Sequence, residues 1–226
     1  MNRTIITTAD GSHSVSIPSL HITYHSSHGA LQESMHVFIN AGLRFVNEQR
    51  NAVAPLAIFE MGFGTGLNAL LTLIEAESNR QPVYYESIDL HPLTVTEAML
   101  LNYCTILQRP DLQNIFIQLH AATLNSPINI TPYFTFKKNN SSLLEYRFEQ
   151  RFQVIYFDAF APDIQPELWT TEAFEQLAGG MEEEAVLTTY CSKSIVRKAM
   201  AAAGLQVMKI PGPPHKREMV RAIKKR

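Results

Sequence analysis

Three carboxylates, Glu60, Asp89 and Asp158, each lie in or just after an apolar run, and Gly62, Gly64 and Gly66 follow the first at alternate positions. Glycine suits such a bend because a side chain would bar close approach of a ligand to the backbone, and because the turn calls for positive φ. A dinucleotide loop reads G-x-G-x-x-G, and here its last site falls on Leu67. Glu60 stands just before the loop, where a carboxylate can face a cation. S-adenosylmethionine fits that description, since it carries a ribose, a cationic sulfonium and an ammonium but no phosphate. A glycine turn that binds nothing is the plain alternative.

These residues need elements to hold them. Ala57 to Glu60 reads as a strand, and Leu67, Leu70, Leu71 and Ile74 share one face of a following helix whose other face carries Glu75 and Glu77. Strand, glycine turn and helix make the first unit of a nucleotide-binding α/β domain. Pro82 to Ile88 is a second strand, and Asp89 at its end is positioned to accept the two ribose hydroxyls or, more simply, to cap the helix that begins near Leu93. Phe152 to Phe157 is nearly all apolar, as a buried parallel strand should be. Asp158 at its tip faces the crevice where chemistry belongs, or satisfies the next turn. Trp169 lies in a loop able to wall that crevice.

The remaining chain alternates in the same way. A helix runs from Ala30 to Asn47 with Gly42 as a break, and Gln32-Glu33-Ser34 begins it, either facing the site or as an ordinary helix start. Ala54-Pro55 separates it from the first strand. Glu97 to Leu107 is helical, Ile115 to Leu119 is a short strand or a helix end, Asn125 to Phe136 supplies a strand, and Lys137 to Ser142 is a polar turn. Many methyltransferases offer the adenine amino group an Asp from that loop; Asn139 is the available substitute. Thr171 to Leu177 and Ser194 to Ala203 are helices, Ala185 to Tyr190 and Leu205 to Ile210 are strands, and Lys216 to Lys224 returns to the sheet beyond the Pro211–Pro214 turn. The fold expected is a doubly wound, mostly parallel, seven-stranded α/β sheet with a C-terminal antiparallel hairpin. Residues 1–30 form a strand or hairpin extension, and 31–226 the main domain.

The 226 residues suit one such domain, and an apolar share of 46% is enough for a core. No apolar run approaches the roughly 20 residues that span a bilayer, and the N-terminus is not a signal peptide. Cys104 and Cys191 alone suggest no disulfide framework, so a cytoplasmic protein without membrane contact is expected. His21, His25 and His28 lack a carboxylate or thiol companion, and no metal is assigned to them. The net charge of −2 hides an asymmetry: from His215 to Arg226 the chain carries +5, leaving −7 elsewhere. That basic stretch, Lys216–Arg226, is a candidate phosphate contact or a solvated terminus.

Several of these segments together resemble the methyltransferase domain of the MnmC-like enzymes, which finish the 5-methylaminomethyl group on the tRNA wobble uridine. The likeness rests on Phe59–Asn68, on Ser87–Thr94, on Phe157–Pro162 with Pro166–Thr170, and on Thr189–Ser192 and Pro214–Met219. It implies a Rossmann-like, S-adenosylmethionine-dependent tRNA methyltransferase. Glu60, Gly62, Gly64, Gly66 and Asn68 would hold the donor, with Asp89 on the ribose. Asp158 would line the acceptor pocket as the catalytic carboxylate, and Phe160 would stack on or wall in the uracil. Better-known members fuse this domain to a flavin-dependent oxidase; its absence here implies methyl transfer alone, on an aminomethyl substrate made elsewhere. The rivals are a transferase of the same fold acting on a small-molecule amine, a non-catalytic nucleic-acid module, and a dehydrogenase.

Overall fold

Val154 and Tyr156 pack to one side of a sheet, and their neighbours Ile155 and Phe157 to the other. This two-residue alternation lets one strand serve two cores. In the computed structural model, which describes residues 2–50 and 55–225, those cores cover both faces of the sheet. Ala54 of the expected linker and Arg226 lie outside the described residues.

The chain opens with β1 (Thr4–Thr7), β2 (His13–Ile17) and β3 (Ile22–Thr23), a small antiparallel sheet. Asn102 fastens it to the body, accepting from His13 N at 2.8 Å and donating to Gly11 O at 2.9 Å. α1 (Ala30–Ser34) runs on through a π-helical stretch, Met35–Arg44, into α2 (Phe45–Gln49). Gly42 does not break this helix. A Cβ there would lie 3.1 Å from the Tyr156 ring, so the missing side chain lets the helix lie close on the sheet.

β4 (Leu56–Met61), α3 (Leu67–Asn79) and β5 (Val83–Ile88) follow as expected. The next segment divides into α4 (Val95–Ala98) and α5 (Tyr103–Ile106), and Ile115 to Leu119 falls in a helix, α6 (Gln113–Ala121). β6 (Ile128–Thr131) and β7 (Phe134–Asn139) form a hairpin, followed by β8 (Phe152–Phe157), α7 (Thr171–Gly180) and β9 (Met181–Thr189). α8 (Ser194–Ala202), β10 (Leu205–Pro211) and β11 (Glu218–Lys224) end the chain.

The main sheet has eight strands in the order β10-β11-β9-β8-β4-β5-β7-β6. This corrects the seven expected: β6 adds an antiparallel edge beside β7. β7, β5, β4, β8 and β9 are mutually parallel, and β11 and β10 return as the antiparallel hairpin. Lys137, Lys138 and Asn139 belong to β7 and not to a turn. Their charge is accommodated: Lys137 pairs with Glu86 and Glu149, while Lys138 donates to the last carbonyls of α6. No helix among the described residues is long and apolar enough to cross a membrane.

Candidate active site

β5 lies on one side of β4 and β8 on the other, so the chain reverses its direction of travel across the sheet at β4. A crevice opens at such a point beyond the carboxyl ends of the strands. Glu60 is in register with Ser87 and Tyr156, and Met61 with Ile88 and Phe157. The first residue past β8 is therefore brought against the glycine bend: Asp158 N donates to Met61 O at 2.9 Å, and Gly62 N to Ile88 O at 3.0 Å. Gly62 has φ +93°, and a Cβ on it would sit 2.5 Å from Asp158 O. No other residue type fits that site.

Asn68, in the first turn of α3, joins two carboxylates. Its Nδ2 donates to Glu60 Oε1 and to Asp158 Oδ2, both at 3.0 Å. Ser87 Oγ donates to the other Glu60 oxygen at 3.0 Å. Burial, then the nearby Asp158, pushes Glu60 well above the usual carboxylate range. Asp158 is pushed up to about 7 by enclosure first and by the Glu33 carboxylate second, with the Asn68 bond and Lys216 opposing. Asp89 stands across the bend: its Oδ2 accepts from Gly64 N at 2.8 Å and its Oδ1 from His91 N at 2.7 Å. It does not cap the next helix, a role that Thr94 and Glu97 fill reciprocally. Each Asp89 oxygen keeps a lone pair for a further donor.

These groups border a cavity of about 460 Å³. Gly62, Gly64, Asn68, Asp89, Asp158 and Phe160 line it; Glu60, Gly66 and Asn139 do not. Glu60 and Gly66 act from behind the wall, Glu60 by holding Asn68, and Gly66 by letting the loop turn into α3 where a Cβ would meet the His120 ring at 2.8 Å. Asn139 is turned away, its amide donating to Glu86 at 2.8 Å. The position next to the cavity on that side belongs to Ser142 and Leu143.

On the opposite wall, Glu33 faces the site as one reading of Gln32-Glu33-Ser34 had it, and the residues around it were not foreseen there. Tyr24, His25 and Ser26 come from the loop after β3, Glu33 from α1, Tyr190 from just past β9, and Lys216 from the turn before β11. His25 is buried and bonds through Nε2 to Thr65 Oγ1 at 2.8 Å; burial pulls it down to about 4, so it is neutral. Glu33 accepts from Ser26 N at 2.9 Å and from Lys216 Nζ. Tyr24 meets Phe160 edge to face, with 5.1 Å between ring centres. Trp169 donates to Phe160 O at 2.8 Å and packs on Phe157, fixing the loop that carries Phe160.

The basic C-terminal stretch is not a free tail. Lys216 turns into the cavity, Arg221 lies 3.5 Å from the Phe45 ring centre and donates to Ala41 O, and Lys224 donates to Ala178 O and Met181 O. Arg217 and Lys225 are exposed. His21, His25 and His28 do not converge either; among the described residues no three His, Cys, Asp or Glu side chains are grouped to hold a metal ion.

Residues 118–225 match a family described as S-adenosyl-L-methionine-dependent methyltransferase. The "tRNA 5-methylaminomethyl-2-thiouridine biosynthesis bifunctional protein MnmC" of Ectopseudomonas mendocina is 30% identical over 220 residues, 87% of this chain and 31% of that protein. Its counterpart in Paraburkholderia xenovorans is 27% identical over 212 residues, again 87% of this chain and 31% of that protein. The chain is an S-adenosyl-L-methionine-dependent methyltransferase. The methyltransferase spans about a third of the length of these curated relatives. The crystal structure of MNMC2 from Aquifex aeolicus superposes with a TM-score of 0.78 at 23% identity, covering 98% of this chain and 69% of that one. Spermidine synthase from Thermotoga maritima superposes at 0.56 with 12% identity, over 98% of this chain and 68% of that one. At such identities these likenesses speak for the fold: the methyltransferase is Rossmann-like.

The residues present fit the methyl donor. Asn68 lines the cavity, and its Oδ1 is buried with no hydrogen-bond partner in the protein, an acceptor left over for a donor that a ligand can bring. The Gly62 bend leaves bare backbone beside it, and the free lone pairs of Asp89 suit two hydroxyls.

Proposed function

We propose that this methyltransferase acts on the amine of 5-aminomethyluridine, or its 2-thio form, at the tRNA wobble position. The observation that carries this reading is Asp158: a carboxylate joined to the glycine bend by its own backbone, bordering the cavity beside an aromatic pair, Tyr24 and Phe160. The named activity of the curated relatives, tRNA 5-methylaminomethyl-2-thiouridine biosynthesis, supports it.

The roles follow from the chemistry. Asn68 and the glycine bend bind the methionyl part of the donor, with Glu60 orienting Asn68 from behind, and Asp89 takes the ribose. The donor supplies an electrophilic methyl group on a sulfonium. An aminomethyl acceptor with a lysine-like pKa of about 10.4 arrives as an ammonium and must lose a proton to expose its lone pair. Asp158 Oδ orients the amine and receives that proton, a contribution of roughly 10²–10⁴-fold. Alignment by the cavity walls can contribute more, about 7–11 kcal/mol at best, so Asp158 is chiefly an orienting group. Phe160 and Tyr24 wall the uracil and exclude water. The aminomethyl substrate is made by a reaction other than this methyl transfer.

Wobble nucleosides from cells lacking the protein test this by mass spectrometry: 5-aminomethyl nucleosides should accumulate and methylaminomethyl ones disappear. An unchanged nucleoside profile removes the tRNA reading. Methylation of a polyamine or other small amine instead would favour the small-molecule alternative, and no methylation at all the non-catalytic one.

A further inference from the structure

Glu33 is a carboxylate only 7% exposed, on a helix outside the strand tips where the other acids gather. A buried carboxylate needs a partner. One oxygen accepts from Ser26 N, and the other receives Lys216 Nζ from a segment 183 residues away in sequence. The same Nζ stands 4.5 Å from the centre of the Tyr190 ring, whose hydroxyl is tied to Ala159 O at 2.9 Å. Carboxylate, aromatic face and ammonium thus form one cation site on the cavity wall, and all three residues line the cavity that Asp158 also borders.

The occupant is informative. A lysine Nζ is an ammonium on a methylene, and so is the aminomethyl group of the proposed acceptor. The Lys216 side chain keeps a third of its surface in solvent, and its four-carbon stem lets the charge swing out without moving β11. Exchange of one ammonium for another leaves Glu33 paired and the Tyr190 face covered, so neither the buried charge nor the cation–π contact is lost. We propose that Glu33 and Tyr190 form the seat of the acceptor's ammonium, kept filled in the free protein by Lys216. This rests on the reading of the acceptor as a primary amine. The seat brings that amine beside Asp158, which would then take its proton. A tethered competitor acts at an effective concentration of mM or more, so every acceptor's apparent affinity is reduced by the fraction of molecules in which Lys216 is seated.

The test uses n-butylammonium chloride as probe, titrated by ligand-observed NMR against the full chain. Lys216→Met should bind it at least ~10-fold more tightly than the unmodified protein, as removal of an intramolecular competitor requires. Adding Glu33→Gln to Lys216→Met should abolish that gain, while donor affinity by calorimetry stays within about twofold. In the Lys216→Met background, Tyr190→Phe should retain the gain and Tyr190→Leu lose it. Thermal melts identify any variant that fails to fold: if Glu33→Gln does, the Tyr190 pair decides, and if Lys216→Met does, Lys216→Gln replaces it throughout with the same expected gain. No tightening in a folded Lys216→Met, or tightening that survives Glu33→Gln, overturns the seat. Tightening as described together with no methylation of aminomethylated tRNA leaves the seat standing and overturns the acceptor reading alone.

Discussion

Asn68 places one amide group between two carboxylates, its Nδ2 3.0 Å from Glu60 Oε1 and 3.0 Å from Asp158 Oδ2. In the proposed roles, donor binding and acceptor chemistry therefore share a residue. Asn68→Ala removes a donor from both acids at once. An unsatisfied buried acceptor costs about 1–3 kcal/mol, and the melting temperature should fall accordingly. Donor affinity by calorimetry should weaken by roughly 10-fold or more, from loss of one such bond.

The same contact sets a pH dependence. Asp158 ionises at about 7 because enclosure and Glu33 oppose its charge; Asn68 and Lys216 favour the charge, and Tyr190 and the buried Glu60 also face it. The carboxylate is the form that receives a proton, so kcat/KM should rise through that pH. In Asn68→Ala the bond that lowers the Asp158 pKa is gone, and this limb should move to higher pH.

Stability responds in the opposite sense. A carboxyl whose pKa is raised on folding contributes stability below its unfolded value of about 3.9. That contribution is lost as pH rises through the folded value of about 7. Asp158→Asn, which keeps a side-chain oxygen toward Asn68, should raise the melting temperature of the donor-free protein at pH 8 and leave it nearly unchanged at pH 4. An equal shift at both pH values would contradict the assignment.

Gly62→Ala should be the most damaging small substitution. A side chain at φ +93° is strained by about 1–3 kcal/mol, and its Cβ meets a backbone oxygen that cannot swing aside. Donor affinity should drop at least ~10-fold, beyond what the strain alone takes from stability. Asp89→Ala removes a charged acceptor from Gly64 N and His91 N, about 1.5–3 kcal/mol for one such bond, and should weaken the donor without moving the pH limb of kcat/KM.

The glycine bend and the acids at the strand tips were legible because their information is local. Glycines two apart after an apolar run fix a bend, and Asp89 and Asp158 sit one residue past their strands. Across the cavity, Asp158, Phe160 and a Glu33 able to face the site were named in the sequence, but the pairing of Glu33 with Lys216 was not. Glu33 and Lys216 meet across 183 residues, and nothing within either segment announces the other. Lys137 and Lys138 disguised the end of β7 as a polar turn, since the partners that neutralise them, Glu86, Glu149 and the end of α6, lie elsewhere. With that end folded as strand, Asn139 faces Glu86 and leaves the cavity. Gly42 read as a break because its use, close approach of a helix to Tyr156, is visible only in the packed molecule.

The central claim is that Asp158 and the glycine bend jointly serve one methyl transfer to an amine. Its most direct measurement incubates the protein with deuterium-labelled methyl donor and tRNA bearing 5-aminomethyluridine, then weighs the wobble nucleoside. The expected result is a gain of one labelled methyl with the full chain, and loss of most turnover in Asp158→Ala while calorimetry still detects donor binding. Undiminished labelling by Asp158→Ala, or loss of donor binding in that variant, would contradict the account.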